Sequence, residues 1–197
     1  WSGMGKEIER VYNECESCKE NSRSKPNIPG KRNEVTPSTL ETGCAGELLS
    51  TDFGQYGRSN LLIIRDRYSG LLRVYLTADK TMKSAAKGVE KWMHTYGIPK
   101  EVRSDGGPCY GKEFSEWCKS MGIRHCLSSA YNPQSNGSAE NGVGQIKNLL
   151  EKMGRKGVLN QDELNRLVFK LNCHVTSGQG SALERFFGRN VGTYQME

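Results

Sequence analysis

The chain has 197 residues, a formal net charge of +6, 35% hydrophobic residues and 25% charged residues. This length allows one substantial hydrophobic core, and the modest hydrophobic fraction indicates polar extensions around it. No apolar run reaches the roughly 20 residues that a membrane-spanning helix needs, which excludes a membrane-embedded protein. The seven scattered cysteines predict a reducing intracellular environment rather than a disulfide-bonded secreted domain.

The first 44 residues predict a short helix followed by a linker. Residues 5–19 place Ile8, Val11 and Tyr12 on one helical face. Residues 20–44 are polar, basic and interrupted by three prolines, a composition typical of an extended linker. Most of the positive charge falls instead on residues 46–154, which permits nucleic-acid binding without proving it.

Residues 46–127 alternate between strand and helix patterns. The predicted strands lie near 46–54, 59–66, 69–77, 101–104 and 123–127, and a turn at Ser69-Gly70 joins the second to the third. Helices are predicted over 81–96, ended by Gly97 and Pro99, and over 111–121. Their aromatic residues Trp92, Phe114 and Trp117 lie on apolar faces, so we assign them to the core. The pattern predicts an α/β fold with a mixed five-stranded sheet flanked by helices.

Three further helices are predicted toward the C-terminus. The first carries an apolar stripe of Val143, Ile146, Leu150 and Met153. The second, near 161–175, carries a stripe of Leu164, Leu167, Val168 and Leu171, and a shorter helix follows near 182–187.

Three carboxylates have sequence contexts that favour a catalytic or metal-binding role over that of a solvated surface charge. Asp52 interrupts the apolar strand Leu48-Leu49-Ser50-Thr51-Asp52-Phe53, where an unpaired charge would be costly to bury. Asp105 ends a strand and precedes two glycines, and Glu140 lies in the first turns of an amphipathic helix. An Asp before Gly is usually a turn residue, and a Glu near a helix start usually interacts with the helix dipole. The combination of all three favours a metal site.

Clustered carboxylates repel one another unless cations neutralise them. Their hard oxygen ligands suit Mg²⁺ or Mn²⁺ rather than zinc. Two such ions can clamp the attacking and leaving oxygens of an in-line phosphoryl displacement. The residues themselves therefore predict a two-metal nuclease or transferase.

The order Asp52, Asp105, Glu140, with 34 residues between the last two, resembles the catalytic core of retroviral and gypsy-type retrotransposon integrases. The Ser-Asp-Gly-Gly turn at 104–107 and the Tyr-Asn-Pro-Gln-Ser-Asn-Gly loop at 131–137 resemble the same family. The resemblance covers roughly residues 46–155, and Phe-Phe-Gly-Arg at 186–189 resembles a segment that follows the core in gypsy-type elements. It implies a ribonuclease H-like fold and DDE polynucleotidyl transfer.

The resemblance also implies roles for individual residues. Asp52 would bridge two Mg²⁺ or Mn²⁺ ions, while Asp105 and Glu140 would each bind one. DNA contacts are implied for residues of the loop and the following helix, namely Tyr131, Gln134, Asn136 and Lys147. The implied reaction removes nucleotides from the 3′ ends of element DNA and joins those ends to target DNA in the nucleus. Joining two ends implies a homodimer or higher homo-oligomer.

The N-terminal residues resemble the end of the integrase zinc-binding module. Cys15 and Cys18 supply half of a zinc site, but the two histidines of that module would precede Trp1. We therefore expect no bound zinc in this chain. The expected organisation is a module remnant over 1–19, a linker over 20–44, the catalytic core over 45–155 and a helical extension over 156–197.

Two other functions compete with an active integrase. A domesticated, integrase-derived module would bind DNA or protein without joining strands, and Gly142 and Gly144 early in the catalytic helix favour it. A ribonuclease H or exonuclease of the same fold class would leave the 131–137 loop unexplained. Metal-dependent strand transfer separates an integrase from both alternatives.

Overall fold

The computed structural model describes residues 6–7, 10–11, 14–15, 43–127, 144, 146, 148–150, 159–176 and 180–191. Residues 6–7, 10–11 and 14 are helical, within the helix predicted over 5–19. Arg10 links successive turns there, with ion pairs to Glu7 at 2.6 Å and Glu14 at 3.1 Å. In the described part of the chain, no helix is long and apolar enough to cross a membrane.

The centre of the fold is a mixed five-stranded sheet. Its strands are β1 (Leu48–Tyr56), β2 (Ser59–Asp66), β3 (Leu72–Thr77), β4 (Glu101–Ser104) and β5 (Arg124–Leu127). Their order across the sheet is β3-β2-β1-β4-β5. The β1–β2 and β2–β3 pairs are antiparallel, whereas β1–β4 and β4–β5 are parallel. The predicted mixed sheet is confirmed.

Helices cover both faces of the sheet. They are α1 (Met82–Tyr96), α2 (Lys112–Ser120), α3 (Gln161–Cys173) and α4 (Ala182–Phe187), with a 3₁₀ turn over Pro108–Tyr110 before α2. A two-stranded ribbon of β6 (Val175–Thr176) and β7 (Gly180–Ser181), which the sequence did not predict, joins α3 to α4.

Strand β2 contributes to two separate hydrophobic clusters because its side chains alternate between the faces. Leu62 and Ile64 pack in one cluster with residues of α1 and α2, including Trp92 and Phe114. Leu61 and Ile63 pack in the other with Ile146 and residues of α3. Burial on both faces explains why the β2 sequence is a continuous apolar run rather than an alternating one.

Helix α1 approaches the sheet very closely at Gly88. A Cβ atom at this position would overlap Leu62 Cδ2, so any side chain here would require the buried Leu62 side chain to move. Trp92 lies one turn further along and has no exposed surface. The same face of α1 also packs against Phe186 of α4, since the Trp92 and Phe186 rings lie 6.0 Å apart.

Strand β3 starts at Leu72, three residues later than predicted, because a buried carboxylate organises the preceding turn. Asp66 accepts hydrogen bonds from the Ser69 amide at 2.7 Å and the Ser69 hydroxyl at 2.5 Å. Gly70 has a positive φ of 79°, which favours glycine. The hairpin turn predicted at Ser69-Gly70 is confirmed.

Helix α3 is tied to the edge strand β3 by polar as well as apolar contacts. The buried Asn172 amide accepts from Leu72 N and donates to Leu72 O, both at 2.9 Å. Further along β3, the Gln161 amide accepts from Leu76 N and donates to Val74 O. These hydrogen bonds satisfy backbone groups of β3 that no neighbouring strand pairs. Helix α3 therefore covers this edge of the central sheet.

Candidate active site

The strand register brings Asp52 and Asp105 together. Strands β1 and β4 run parallel, with Ser50 opposite Arg103. Continuing that register by two residues aligns Asp52 with Asp105, which follows the last residue of β4. Neighbouring strands lie about 4.8 Å apart, so this register places the two residues side by side at the C-terminal end of β4.

Asp52 belongs to the sheet face that carries Ile146. Asp52 pairs directly with Ile63, and paired residues point to the same face. Ile63 packs in the cluster that includes Ile146 and Leu150, which are helical residues. The helix predicted to carry Glu140 therefore packs on the face toward which Asp52 projects.

Asp52 and Asp105 both influence the neighbouring residues Cys109 and Tyr110. Burial raises the pKa of the Cys109 thiol, and the charges of Asp105 and Asp52 raise it further. Burial likewise raises the pKa of the Tyr110 phenol well above its usual value, with smaller contributions from both carboxylates. Negative potential is therefore concentrated beside residues 109–110.

Asp105 is held in place by a hydrogen bond within its own turn and by a polar network of Ser104, His125 and Ser115. Its Oδ1 accepts from Gly107 N at 3.1 Å. The Ser104 hydroxyl donates to Asp105 O at 3.0 Å and lies 2.9 Å from His125 Nε2. On the other side of the imidazole, Ser115 Oγ lies 2.7 Å from Nδ1. The backbone at Asp105 is thereby connected to both β5 and α2.

A similar buried contact supports the strand beside Asp52. Thr51 Oγ1 and the Tyr110 hydroxyl share a hydrogen bond at 3.1 Å, and both residues are buried. The sequence did not single out Thr51, Ser104, Ser115 or His125. Nothing in their spacing indicates that these polar residues converge, because the contacts arise only when the strands pair.

An open cavity of about 640 Å³ is lined in part by Cys109, the residue whose pKa both carboxylates raise. Its lining includes Cys109 and Pro108 together with three lysines at the start of α1, Lys80, Lys83 and Lys87. All three lysines are exposed. The cavity is therefore bordered by three lysines and also by the acidic residues Asp79 and Glu113.

Of the residues predicted from sequence to form the site, the structure describes Asp52, Asp105 and Cys15. Asp52 and Asp105 are half-buried, and continuing the β1–β4 register aligns them; Cys15 is half-buried, with its amide bonded to Val11 O at 3.2 Å. The remaining predicted residues lie outside the described residues: Cys18, Tyr131, Gln134, Asn136, Glu140 and Lys147. Within the described ranges, no three His, Cys, Asp or Glu side chains form a metal-binding group.

The reactivity of Cys109 should report the charge on Asp52. Asp52→Asn removes one of the carboxylates that raise the thiol pKa. The pKa of Cys109 should fall, which increases the thiolate fraction and the alkylation rate at pH 8. Iodoacetamide labelling followed by peptide mapping measures this rate. Asp162→Asn, on the exposed start of α3, is the control, and an unchanged Cys109 rate in Asp52→Asn would refute the proximity of the two groups.

Comparison with known proteins places this arrangement in a family. Residues 43–133 match the family model described as integrase core domain. An uncharacterized protein of Caenorhabditis elegans is 27% identical over 98% of this chain, and the Gag-Pro-Pol polyprotein of Mason-Pfizer monkey virus is 28% identical over 79% of it. The chain spans only 15% and 9% of these two relatives, respectively.

The fold is also that of solved integrase cores. The HTLV-2 integrase catalytic core domain, solved in complex with magnesium in a trimeric form, aligns with a TM-score of 0.61 and 22% identity. The alignment covers 73% of this chain and 97% of that structure. The predicted ribonuclease H-like fold is confirmed. Over residues 43–133 the chain therefore matches the integrase core domain family, and its fold is that of retroviral integrase catalytic cores.

Proposed function

We propose that the chain is the catalytic core of a metal-dependent integrase that trims the 3′ ends of element DNA and joins them to target DNA. The register of the parallel strands β1 and β4 supports this proposal, since continuing it by two residues aligns Asp52 with Asp105 just beyond the C-terminal end of β4. Glu140 would be the third. The proposed cellular location is the nucleus, where target DNA lies.

The donor set fits a hard divalent cation. Asp52 and Asp105 offer carboxylate oxygens, which suit Mg²⁺ or Mn²⁺, and each is half-buried, which strengthens electrostatic attraction to a cation. When bound, two such ions would supply Lewis-acid stabilisation of the charge that develops on the phosphoryl oxygens. The related HTLV-2 core, solved with magnesium, supports this assignment.

The other residues of the site have supporting roles in this proposal. Ser104 and His125 fix the backbone that carries Asp105, so that its carboxylate is held in position before a cation binds. Lys80, Lys83 and Lys87 would contact DNA phosphates, since these exposed lysines border the cavity that Cys109 also lines. Tyr131, Gln134, Asn136 and Lys147 remain proposed DNA contacts, and a homodimer or higher oligomer remains the proposed assembly.

Metal binding tests the proposed site independently of catalysis. In this proposal Mn²⁺ binds the native state and not the unfolded state. Mn²⁺ should therefore raise the melting temperature in a saturable way. Asp52→Asn, Asp105→Asn and Glu140→Gln should each weaken this stabilisation by removing one ligand, whereas Asp162→Asn should keep it. Calorimetric titration with Mn²⁺ measures the affinity directly. Equal Mn²⁺ affinity in the parent and all three variants would refute the assignment.

A further inference from the structure

The hydrogen bonds that connect Asp105 to His125 have a definite direction. The Ser104 hydroxyl donates its single proton to Asp105 O at 3.0 Å. Because that proton is used, the contact of 2.9 Å between Ser104 Oγ and His125 Nε2 requires the imidazole to be the donor. The neutral ring of His125 therefore carries its proton on Nε2.

The other ring nitrogen of His125 is an acceptor. When the proton is on Nε2, Nδ1 keeps its lone pair, and Ser115 Oγ lies 2.7 Å from it. Ser115 therefore donates to Nδ1 in preference to Gly111 O, which is 3.3 Å away. Burial lowers the pKa of His125, which favours the neutral ring that this arrangement needs. These three hydrogen bonds form a Ser115–His125–Ser104 relay that ends on the carbonyl group of Asp105.

Packing fixes the orientation of the imidazole ring. The His125 ring lies edge-on to that of Phe114, with centroids 5.0 Å apart and 83° between the planes. Phe114 has no exposed surface and belongs to the hydrophobic cluster that includes Trp92. Turning the imidazole over would place carbon atoms where Nδ1 and Nε2 now lie. Both hydrogen bonds of the ring therefore depend on this packed orientation.

The relay anchors the backbone at a point where strand pairing has ended. The β4–β5 register runs to Ser104, which is fully buried, and Asp105 lies one residue beyond it. The relay joins α2 through Ser115, and β5 through His125, to the Asp105 carbonyl. It thus fixes the backbone of a residue that the sheet ladder no longer holds.

We infer that His125 and Ser115 are positioning residues for the Asp105 carboxylate and act through Ser104 on the backbone that carries it. The inference rests on the proposed metal site. Hydroxyl groups engage both nitrogens of His125, so the imidazole orients a cation ligand without being one. Groups with this role typically contribute about 10–100-fold to metal affinity. The relay should contribute about tenfold, the lower end of that range, because it contacts the backbone of Asp105 and not its carboxylate.

Two substitutions of His125 test the direction of the relay, because Gln places its amide nitrogen near the position of Nε2 and Asn places its own near Nδ1. His125→Gln keeps a donor for Ser104 and should retain most of the Mn²⁺ affinity. His125→Asn cannot reach Ser104 and should bind Mn²⁺ about tenfold more weakly, as should Ser104→Ala. Calorimetric titration of the whole chain, at a temperature where circular dichroism shows every variant folded, measures these affinities. His94→Asn, at an exposed histidine of α1, is the matched control.

Two further measurements distinguish a relay from independent packing effects. Ser104→Ala combined with His125→Asn should lose no more affinity than the weaker-binding single variant, because both residues act through one relay. Ser115→Ala should cause a smaller loss, since the ring keeps its bond to Ser104. Nitrogen-15 NMR of the imidazole should show the proton of the neutral ring on Nε2. A proton on Nδ1 would overturn the inference.

Failure of the relay can be told apart from failure of the metal site. Asp105→Asn should lose Mn²⁺ affinity because it removes a ligand. If it does so while His125→Asn and Ser104→Ala keep the parent affinity, the relay has only a structural role and the inference is overturned. Equal losses in His125→Gln and His125→Asn would also overturn it. Equal Mn²⁺ affinity in the parent and Asp105→Asn would refute the metal site and the inference with it.

Discussion

Asp52→Asn is expected to abolish metal-dependent cleavage and joining of DNA while leaving the protein folded. The substitution removes a carboxylate that the proposed cation requires, and the cation supplies several kcal/mol of transition-state stabilisation, so the rate should fall by about 1000-fold or more. Asn has nearly the same shape as Asp, so the strand pairing with Ile63 should persist. Product analysis on sequencing gels measures the loss.

Stability and DNA affinity separate this effect from unfolding. Without metal, Asp52→Asn removes repulsion between neighbouring carboxylates, so the melting temperature should be unchanged or higher. DNA affinity should also remain, because phosphate binding depends on basic residues. Asp162→Asn should retain full activity. Parent-like rates in Asp52→Asn would refute the catalytic role of this residue.

Trp92→Ala is expected to be the most destabilising of the substitutions considered for the core. The side chain has no exposed surface and packs against Tyr96 of its own helix, at a ring distance of 4.6 Å, and against Phe186 of α4. Its removal leaves a large cavity beneath α1, with an expected cost of about 3–5 kcal/mol. Urea unfolding followed by circular dichroism measures the change in the free energy of unfolding.

Trp92→Phe is the matched variant, because it keeps an aromatic ring in the same place. Among the residues that the structure describes, the buried Trp92 Nε1 has no hydrogen-bond partner, so Phe removes an unsatisfied donor together with part of the packing. The cost should be clearly smaller than for Ala. If Trp92→Ala left stability intact but weakened DNA binding, the ring would be a nucleic-acid contact and its assignment to the core would be wrong.

The sequence predicted most of the central sheet because the relevant patterns are local. The apolar run Leu61-Leu62-Ile63-Ile64 and the termination of α1 at Gly97 depend only on neighbouring residues. The hydrophobic stripe of α3 was also correct, since Leu164 and Val168 are buried and Leu167 and Leu171 pack beside them. The ribbon β6–β7 was missed because two-residue strands have no periodicity to detect.

The site was less accessible to sequence reasoning because its contacts are long-range. Asp52 and Asp105 were recognised by their settings and by the family resemblance, whereas their alignment requires β4 to pair with β1 across an intervening hairpin and helix. The Ser104, His125 and Ser115 network depends on the same pairing. A cavity lined by Arg65 and Arg185 joins residues that are far apart in the sequence, which no local pattern reveals.

The most direct test of the proposed function is strand transfer on a defined DNA substrate with Mn²⁺. A branched oligonucleotide that mimics the joined product suits this chain, because phosphoryl transfer is reversible and such a substrate presents the reacting groups without a known terminal sequence. We predict that the protein resolves this branch in Mn²⁺, that EDTA abolishes the reaction and that Asp52→Asn is inactive. Tight binding of both Mn²⁺ and the branched DNA without any resolved product would contradict an active integrase and would indicate a binding module that no longer joins strands.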